Sequence, residues 1–251
     1  MDSKVRFTDR VDAYVKYRPD YPEEALDYLY DTAGLRGAAK VADVGAGTGK
    51  FSRLLLERGS EVIAVEPNEA MRQAAVDALD GYPGFRAVAG SAEATGLAAG
   101  SVDYIVCAQA FHWFDRAAAK EEFLRVLKDG GRVALIWNSR LTAGSPFLEG
   151  YEQLIQTYGT DYVQVNHRNI SAPDLAMFFR EGAMREARFA YRQTLDYDGL
   201  KGRLLSSSYA PGPGHPRHEP MLAALRELFD GTSRDGVVFF DYETEIYWGE
   251  L

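Results

Sequence analysis

VADVGAGTGK, residues 41–50, sets three glycines between an apolar run that reads as a β-strand and FSRLLLERG (51–59), which has helical spacing and stops at Gly59. Glycine at 45, 47 and 49 lets the chain turn sharply and lets a ligand approach without a Cβ in the way. The N–H groups opening the following helix favour an anion or a polar acceptor. A phosphate-binding P-loop needs Ser or Thr after Gly-Lys and a glycine five places before the second one; Phe51 and Val44 stand there instead. The dinucleotide fingerprint is G-x-G-x-x-G, and this loop is G-x-G-x-G. A third reading is a site for S-adenosylmethionine.

The next run, EVIAVE (61–66), gives that reading weight, because Glu66 ends a second strand one βα unit later. A carboxylate there can accept from both hydroxyls of a ribose; the plain alternative is a solvated strand-end acid. Asp43 either braces the loop or reaches a ligand's amino group. Asn68 caps a helix carrying Met71, Ala75 and Leu79. FRAVAG (85–90), VDYIVCA (102–108) and RVALIWN (132–138) are further strands, and Asp115 caps a helix through Phe123 and Leu127 that ends at KDGG. Upstream, Pro22, Glu23 and Glu24 form the first turn of a helix. This alternation predicts βαβ units, hence a parallel sheet with helices on both faces.

Beyond Asn138 the rhythm changes. Residues 146–181 read mostly as helix, FAYRQTLDY (189–197) as a strand, and SSSYAPGPGHPRHEP (206–220) as an exposed loop, His215 and His218 included. GVVFFDYETEIYWGEL alternates as an antiparallel edge or hairpin strand.

AQAFHWFD (108–115) places three aromatic residues and one of four histidines at a strand tip. Phe114 reads as core and Cys107 as inert interior. His112 is the candidate base, and it can equally bind a substrate oxygen. With 28 basic and 37 acidic residues, the formal charge of −9 disfavours nucleic acid and anionic membrane. One cysteine rules out internal disulfides, and no ligand set for a metal is visible. No apolar run reaches transmembrane length and MDSKVRFTDR lacks a signal-peptide core, so a cytoplasmic protein is expected. The 251 residues suit one sizeable core.

V-A-D-V-G-A-G-T-G, V-I-A-V-E-P-N-E-A-M, G-S-A-E-A-T-G-L-A-A-G-S-V-D-Y-I-V and E-F-L-R-V-L-K-D-G-G-R-V resemble, in order, the motifs of class I S-adenosylmethionine-dependent methyltransferases. FTDRVDAYVKYRPDYP, AFHWFD and TEIYWGEL are similar to a group that includes trans-aconitate methyltransferase-like and ubiquinone-menaquinone methyltransferase-like proteins.

The resemblance implies an α/β, Rossmann-like, seven-stranded and mostly parallel sheet with an antiparallel C-terminal strand. It implies one domain over 1–251: an N-terminal lid or helix (1–35), a cofactor core (36–140) and substrate-side helices with C-terminal strands (141–251). Gly45, Ala46 and Gly47 would line the methionine portion of the cofactor and Glu66 would hold the ribose. Pro67 and Asn68 would flank the adenosine. Ser91, Ala92 and Glu93 would read the adenine edge, although many relatives carry Asp where this chain has Ser91. Ala108 and Gln109 would lie beside the cofactor, and Phe111, His112 and Trp113 would face the methyl group or cap the adenosine.

On the substrate side stand Tyr14, Tyr17 and Arg18, as a lid or as simple packing, with Arg18 either clamping a carboxylate or tying the arm down. Asn138, Arg140, Ser206, Ser208 and Tyr209 complete that side. The expected activity is methylation of a small molecule, an organic acid or a natural-product intermediate, by a monomer or homodimer. An NAD(P)-linked oxidoreductase and a noncatalytic S-adenosylmethionine-binding protein are the competing readings.

Overall fold

The computed structural model describes residues 15–162 and 170–251; Tyr14 lies outside the described residues. Seven strands form one sheet in the order β3-β2-β1-β4-β5-β7-β6. They are β1 (Lys40–Val44), β2 (Glu61–Val65), β3 (Phe85–Val88), β4 (Val102–Ala108), β5 (Leu127–Arg140), β6 (Arg185–Leu195) and β7 (Val238–Gly249). The first five pair in parallel, and β7 runs antiparallel to both β5 and β6.

Eight helices flank the sheet among the described residues: α1 (Glu23–Asp31), α2 (Lys50–Glu57), α3 (Glu69–Leu79), α4 (Arg116–Val126), α5 (Pro146–Tyr158), α6 (Ala172–Phe178), α7 (Tyr197–Leu205) and α8 (His218–Thr232). None is long and apolar enough to cross a membrane.

The strand alternation sorts side chains into two layers. Tyr104 and Val106 of β4 join Val41, Val62 and Ile136 beneath α1 and α2. Ile105 and Cys107 face the other way, into a layer closed by Ala119, Phe123 and Val126 of α4 and Phe178 of α6. A third cluster joins α5, α7 and α8 to Phe240 and Tyr242 of β7. The caps are where the sequence placed them: Asn68 Oδ1 accepts from the Met71 N–H at 3.0 Å, and Asp115 accepts from Ala117 and Ala118.

Four expectations change. The C-terminal strand β7 is interior, and β6 forms the edge, because β7 slots between β5 and β6. Leu127 opens β5 rather than closing α4; pairing slips between Val102–Leu127 and Tyr104–Arg132, and the KDGG stretch is absorbed into that irregularity. Ser206, Ser207, Ala210 and Pro211 of the Pro-Gly stretch are buried, and its exposed residues are 213–217, 219 and 220. His218 is buried as well, since it opens α8 and its Nδ1 bonds the Pro211 carbonyl at 2.8 Å.

The three loop glycines answer to different demands. A Cβ at Gly45 (φ +75°) would come within 2.4 Å of the Ala110 Cβ, and one at Gly49 (φ +77°) within 2.8 Å of Leu79 and 3.1 Å of Ala75. At Gly47 (φ +57°) nothing stands in the way. Gly49→Ala is therefore expected to lower unfolding stability by about 1–3 kcal/mol through positive-φ strain and the crowded α3 contact. A urea midpoint equal to wild type would contradict that packing.

Candidate functional site

The carboxyl ends of β1, β2 and β4 meet where strand order reverses, the usual place for a ligand in an open α/β sheet. Two cavities open there. The first, about 130 Å³, is lined by Gly45, Gly47, Glu66, Pro67, Asn68, Met71, Ser91, Ala92, Glu93, Ala108, Gln109, Ala110, Trp113 and Phe114. The second, about 50 Å³, is lined by Arg18, Pro19, Tyr21, Asp43, Gly45, Ala46, Lys50, Phe51, Ala108, Gln109, Asn138 and Arg203. Gly45, Ala108 and Gln109 line both, so the two cavities adjoin at these residues. Gln109 is held at φ +60°, sparsely populated for a residue with a side chain, by its N–H to the Ile136 carbonyl at 2.8 Å.

Glu66 is only 9% exposed. Its Oε2 accepts from the Gly47 N–H at 2.9 Å and its Oε1 from the Asn68 N–H at 2.8 Å. Each oxygen keeps a further acceptor site, so the carboxylate is oriented for a vicinal diol in the first cavity. Burial raises its pKa, opposed by those two N–H groups and by Arg72.

Asp43 is 0% exposed. Ser52 donates to Oδ2 at 2.7 Å, while Oδ1 has no hydrogen-bond partner. Burial pushes its pKa up to about 7, against the Ser52 bond and with the help of the Glu66 charge. An unsatisfied buried acceptor in the lining of the second cavity suits a cationic donor.

Ser91 and Ala94 close a tight backbone bridge that leaves Ala92 buried at the cavity wall. Glu93 accepts from the Asp115 N–H at 3.0 Å, which ties this wall to the start of α4.

The aromatic tip is a 3₁₀ turn, Phe111–Trp113. Phe111 corrects the sequence reading: it is 0% exposed, packed on Phe114, Trp137 and Phe178, and lines neither cavity. Phe114, expected as core, lines the first cavity beside Trp113. The turn brings residues three apart onto one side, with Phe111 beneath and Phe114 at the rim. His112 is half-buried and lines neither of these two cavities; its Nδ1 accepts from the Trp137 indole at 3.4 Å. Indole only donates, so the neutral imidazole carries its proton on Nε2. In that state His112 is a hydrogen-bond donor rather than a base at Nε2.

The N-terminal arm covers the second cavity. Lys50 bonds the Arg18 carbonyl and Asn138 the Asp20 carbonyl, both at 2.9 Å; Gln193 bonds the Tyr17 carbonyl at 3.2 Å. Arg18 donates to the Ser206 carbonyl at 3.0 Å, and the Tyr17 ring lies against Gly202. Asn138 also accepts from Thr244 at 2.6 Å, so it clamps arm to sheet. Arg140 and Tyr209 fall elsewhere: Arg140 pairs with Glu152 and with the Tyr162 hydroxyl, and Tyr209 packs on the Tyr162 ring. Ser208 lines neither cavity.

Sequence reasoning passed over Lys50, Met71 and Arg203. Arg203 left a signal: it shares an apolar helical stripe with Leu200 and Leu204, where a charge is costly. Among the described residues no cluster of three or more His, Cys, Asp or Glu side chains could hold a metal ion.

Residues 42–135 match the family model of a methyltransferase domain. An uncharacterized methyltransferase of Mycobacterium tuberculosis is 45% identical over 139 residues, 55% of this chain and 54% of that protein. One of Schizosaccharomyces pombe is 37% identical over 151 residues, 59% of this chain and 58% of its own length. The match thus spans little more than half of these relatives. Among solved structures, a protein of Anaeromyxobacter dehalogenans assigned as a type II methyltransferase has the same fold, with a TM-score of 0.71 at 24% identity over 93% of this chain and 98% of that one.

The cofactor that this kind of domain implies is S-adenosyl-L-methionine, and the residues fit it. Glu66 matches a ribose diol, the unsatisfied Asp43 Oδ1 matches an ammonium group, and Gly47 leaves open space where a side chain would otherwise stand.

Proposed function

We propose that this methyltransferase domain serves an S-adenosylmethionine-dependent enzyme that methylates a small organic acid or a related small molecule. The observation that carries this reading is the pair of cavities that share Gly45, Ala108 and Gln109 in their walls, one presenting an oriented carboxylate and the other lined by cations. When bound, the cofactor supplies an electrophilic methyl group on a sulfonium.

The chain's own residues do the rest. Glu66 holds the ribose, Asp43 accepts from the amino group, and Trp113, Phe114 and Met71 flank the adenosine. Gly45 and Gln109 stand in the shared wall, where methyl group and acceptor meet. Alignment and exclusion of water can supply most of the rate for such a displacement. A carboxylate nucleophile needs no base, which agrees with a His112 that donates rather than accepts at Nε2.

Incubation with methyl-tritiated S-adenosylmethionine and a panel of small mono-, di- and tricarboxylic acids is expected to label acids and not their amides. Label confined to the amides would sink the organic-acid reading.

A further inference from the structure

The second cavity is cationic in a chain of formal charge −9: Arg18, Lys50 and Arg203 line it, with Asp43 as its one acidic lining residue among the described residues. Arg203 is the unusual member. It is 6% exposed, yet its hydrogen-bond partners are neutral: Nε donates to the Tyr242 hydroxyl and Nη1 to Ser207 Oγ, both at 3.1 Å. Its guanidinium also lies over the Phe240 ring, 5.9 Å from the centroid. Among the described residues no carboxylate pairs with it, and no hydrogen bond to Nη2 is made.

A guanidinium cannot shed its charge, and burying it without a counterion costs several kcal/mol. Tyr242 and Ser207 fix the side chain at the cavity wall. Lys50 is close enough that Arg203 and Arg18 help to lower its pKa, after burial, the largest cause. Two mutually repelling cations lining one cavity, with the Arg203 Nη2 edge left over, complement an anion, although Asp20 offsets part of the charge at Lys50.

From this arrangement we infer that Arg203, with Lys50, forms a carboxylate-binding site in the second cavity. The site rests on the methyltransferase reading, and two ligands could supply the same group: the α-carboxylate of the cofactor's methionine tail, or a carboxylate of the acceptor. Arg203 is then a specificity-determining residue, and the planar fork suits a bidentate pair that a lysine would not reproduce.

Calorimetric titration of wild type, Arg203→Met and Arg203→Lys separates the sources. The ligands are S-adenosylhomocysteine, 5′-methylthioadenosine (which lacks the amino-acid tail) and, on S-adenosylhomocysteine-loaded protein, acetate, succinate and tricarballylate. If the cofactor's carboxylate is held, Arg203→Met weakens S-adenosylhomocysteine by about 10- to 100-fold and leaves methylthioadenosine unchanged. If the acceptor's is held, both nucleosides bind the variant as wild type, and binding of at least one acid probe falls by a similar factor. Arg203→Lys should recover part of either loss, and it carries the comparison if the methionine variant does not fold.

Unchanged S-adenosylhomocysteine binding, together with acid binding that is absent or indifferent to Arg203, overturns the site and leaves the cofactor reading intact. Wild type that binds neither nucleoside overturns both.

Discussion

Glu66→Ala is expected to weaken S-adenosylhomocysteine binding by 100-fold or more. The carboxylate would accept two hydroxyl hydrogen bonds, and bonds to a charged group contribute about 1.5–3 kcal/mol each. Removing it also strips the acceptor from the Gly47 and Asn68 N–H groups, so the loop that shapes the cavity loses its brace. Some stability should go too, since each buried donor left unsatisfied costs about 1–3 kcal/mol. Release of the buried charge offsets part of this, because burial already holds the Glu66 pKa above its ordinary value. The checks are calorimetric affinity and a circular-dichroism melt. A folded variant that binds within threefold of wild type would mean that Glu66 is only a turn-bracing acid.

Asp43→Asn is the second large effect, and it splits stability from binding. Burial lifts the Asp43 pKa from 3.8 to about 7, so the folded protein resists ionising a group that the unfolded chain ionises readily. A raised carboxyl pKa means that the native state binds the extra proton between those values. The contribution of Asp43 is therefore most favourable below the lower value and is lost as pH rises through about 7. Asparagine keeps an acceptor for Ser52 and removes the charge.

Without ligand, Asp43→Asn should melt higher than wild type at about pH 8, by an amount on the order of 2–4 kcal/mol, and the gap should close toward about pH 4. Binding should move the other way, with S-adenosylhomocysteine weakened by about 10-fold or more because the ammonium loses its counter-charge. Lower stability at every pH together with unchanged affinity would show that Asp43 is purely a structural brace of the loop.

The parts legible in the sequence were those set by short-range pattern. Three glycines at G-x-G-x-G spacing, an acid ending the next strand, and caps at Asn68 and Asp115 are local features, and the fold keeps each of them. What escaped was decided by tertiary pairing. The alternation of β7 is the same for an edge strand as for an interior one whose faces are both packed, so only its two neighbours reveal its place. Phe111 and Phe114 changed roles because a 3₁₀ turn follows the strand, and strand alternation no longer says which ring points inward. Arg203 gains its meaning from Tyr242, on another element 39 residues away, a partnership that no local window contains.

The second cavity shows the same dependence on distant segments. Its walls come from the arm at Arg18 to Tyr21, the loop after β1, the tip of β4, Asn138 of β5 and Arg203 of α7. Arg18, Asp43, Gln109 and Asn138 were visible as polar residues near element ends, whereas Lys50 and Arg203 were not. Only the hydrogen bonds from Lys50, Asn138 and Gln193 to the arm's carbonyls show that they enclose one space. Arg140 and Tyr209 looked equally suitable by position, yet pairing with Glu152 and Tyr162 draws them to a separate cluster.

The central claim is that the cavity beside Glu66 holds S-adenosylmethionine. Calorimetric titration of the wild-type protein with S-adenosylhomocysteine and, separately, with NAD tests it most directly. Saturable one-to-one binding of S-adenosylhomocysteine with none of NAD is the predicted result; binding of NAD alone would contradict it.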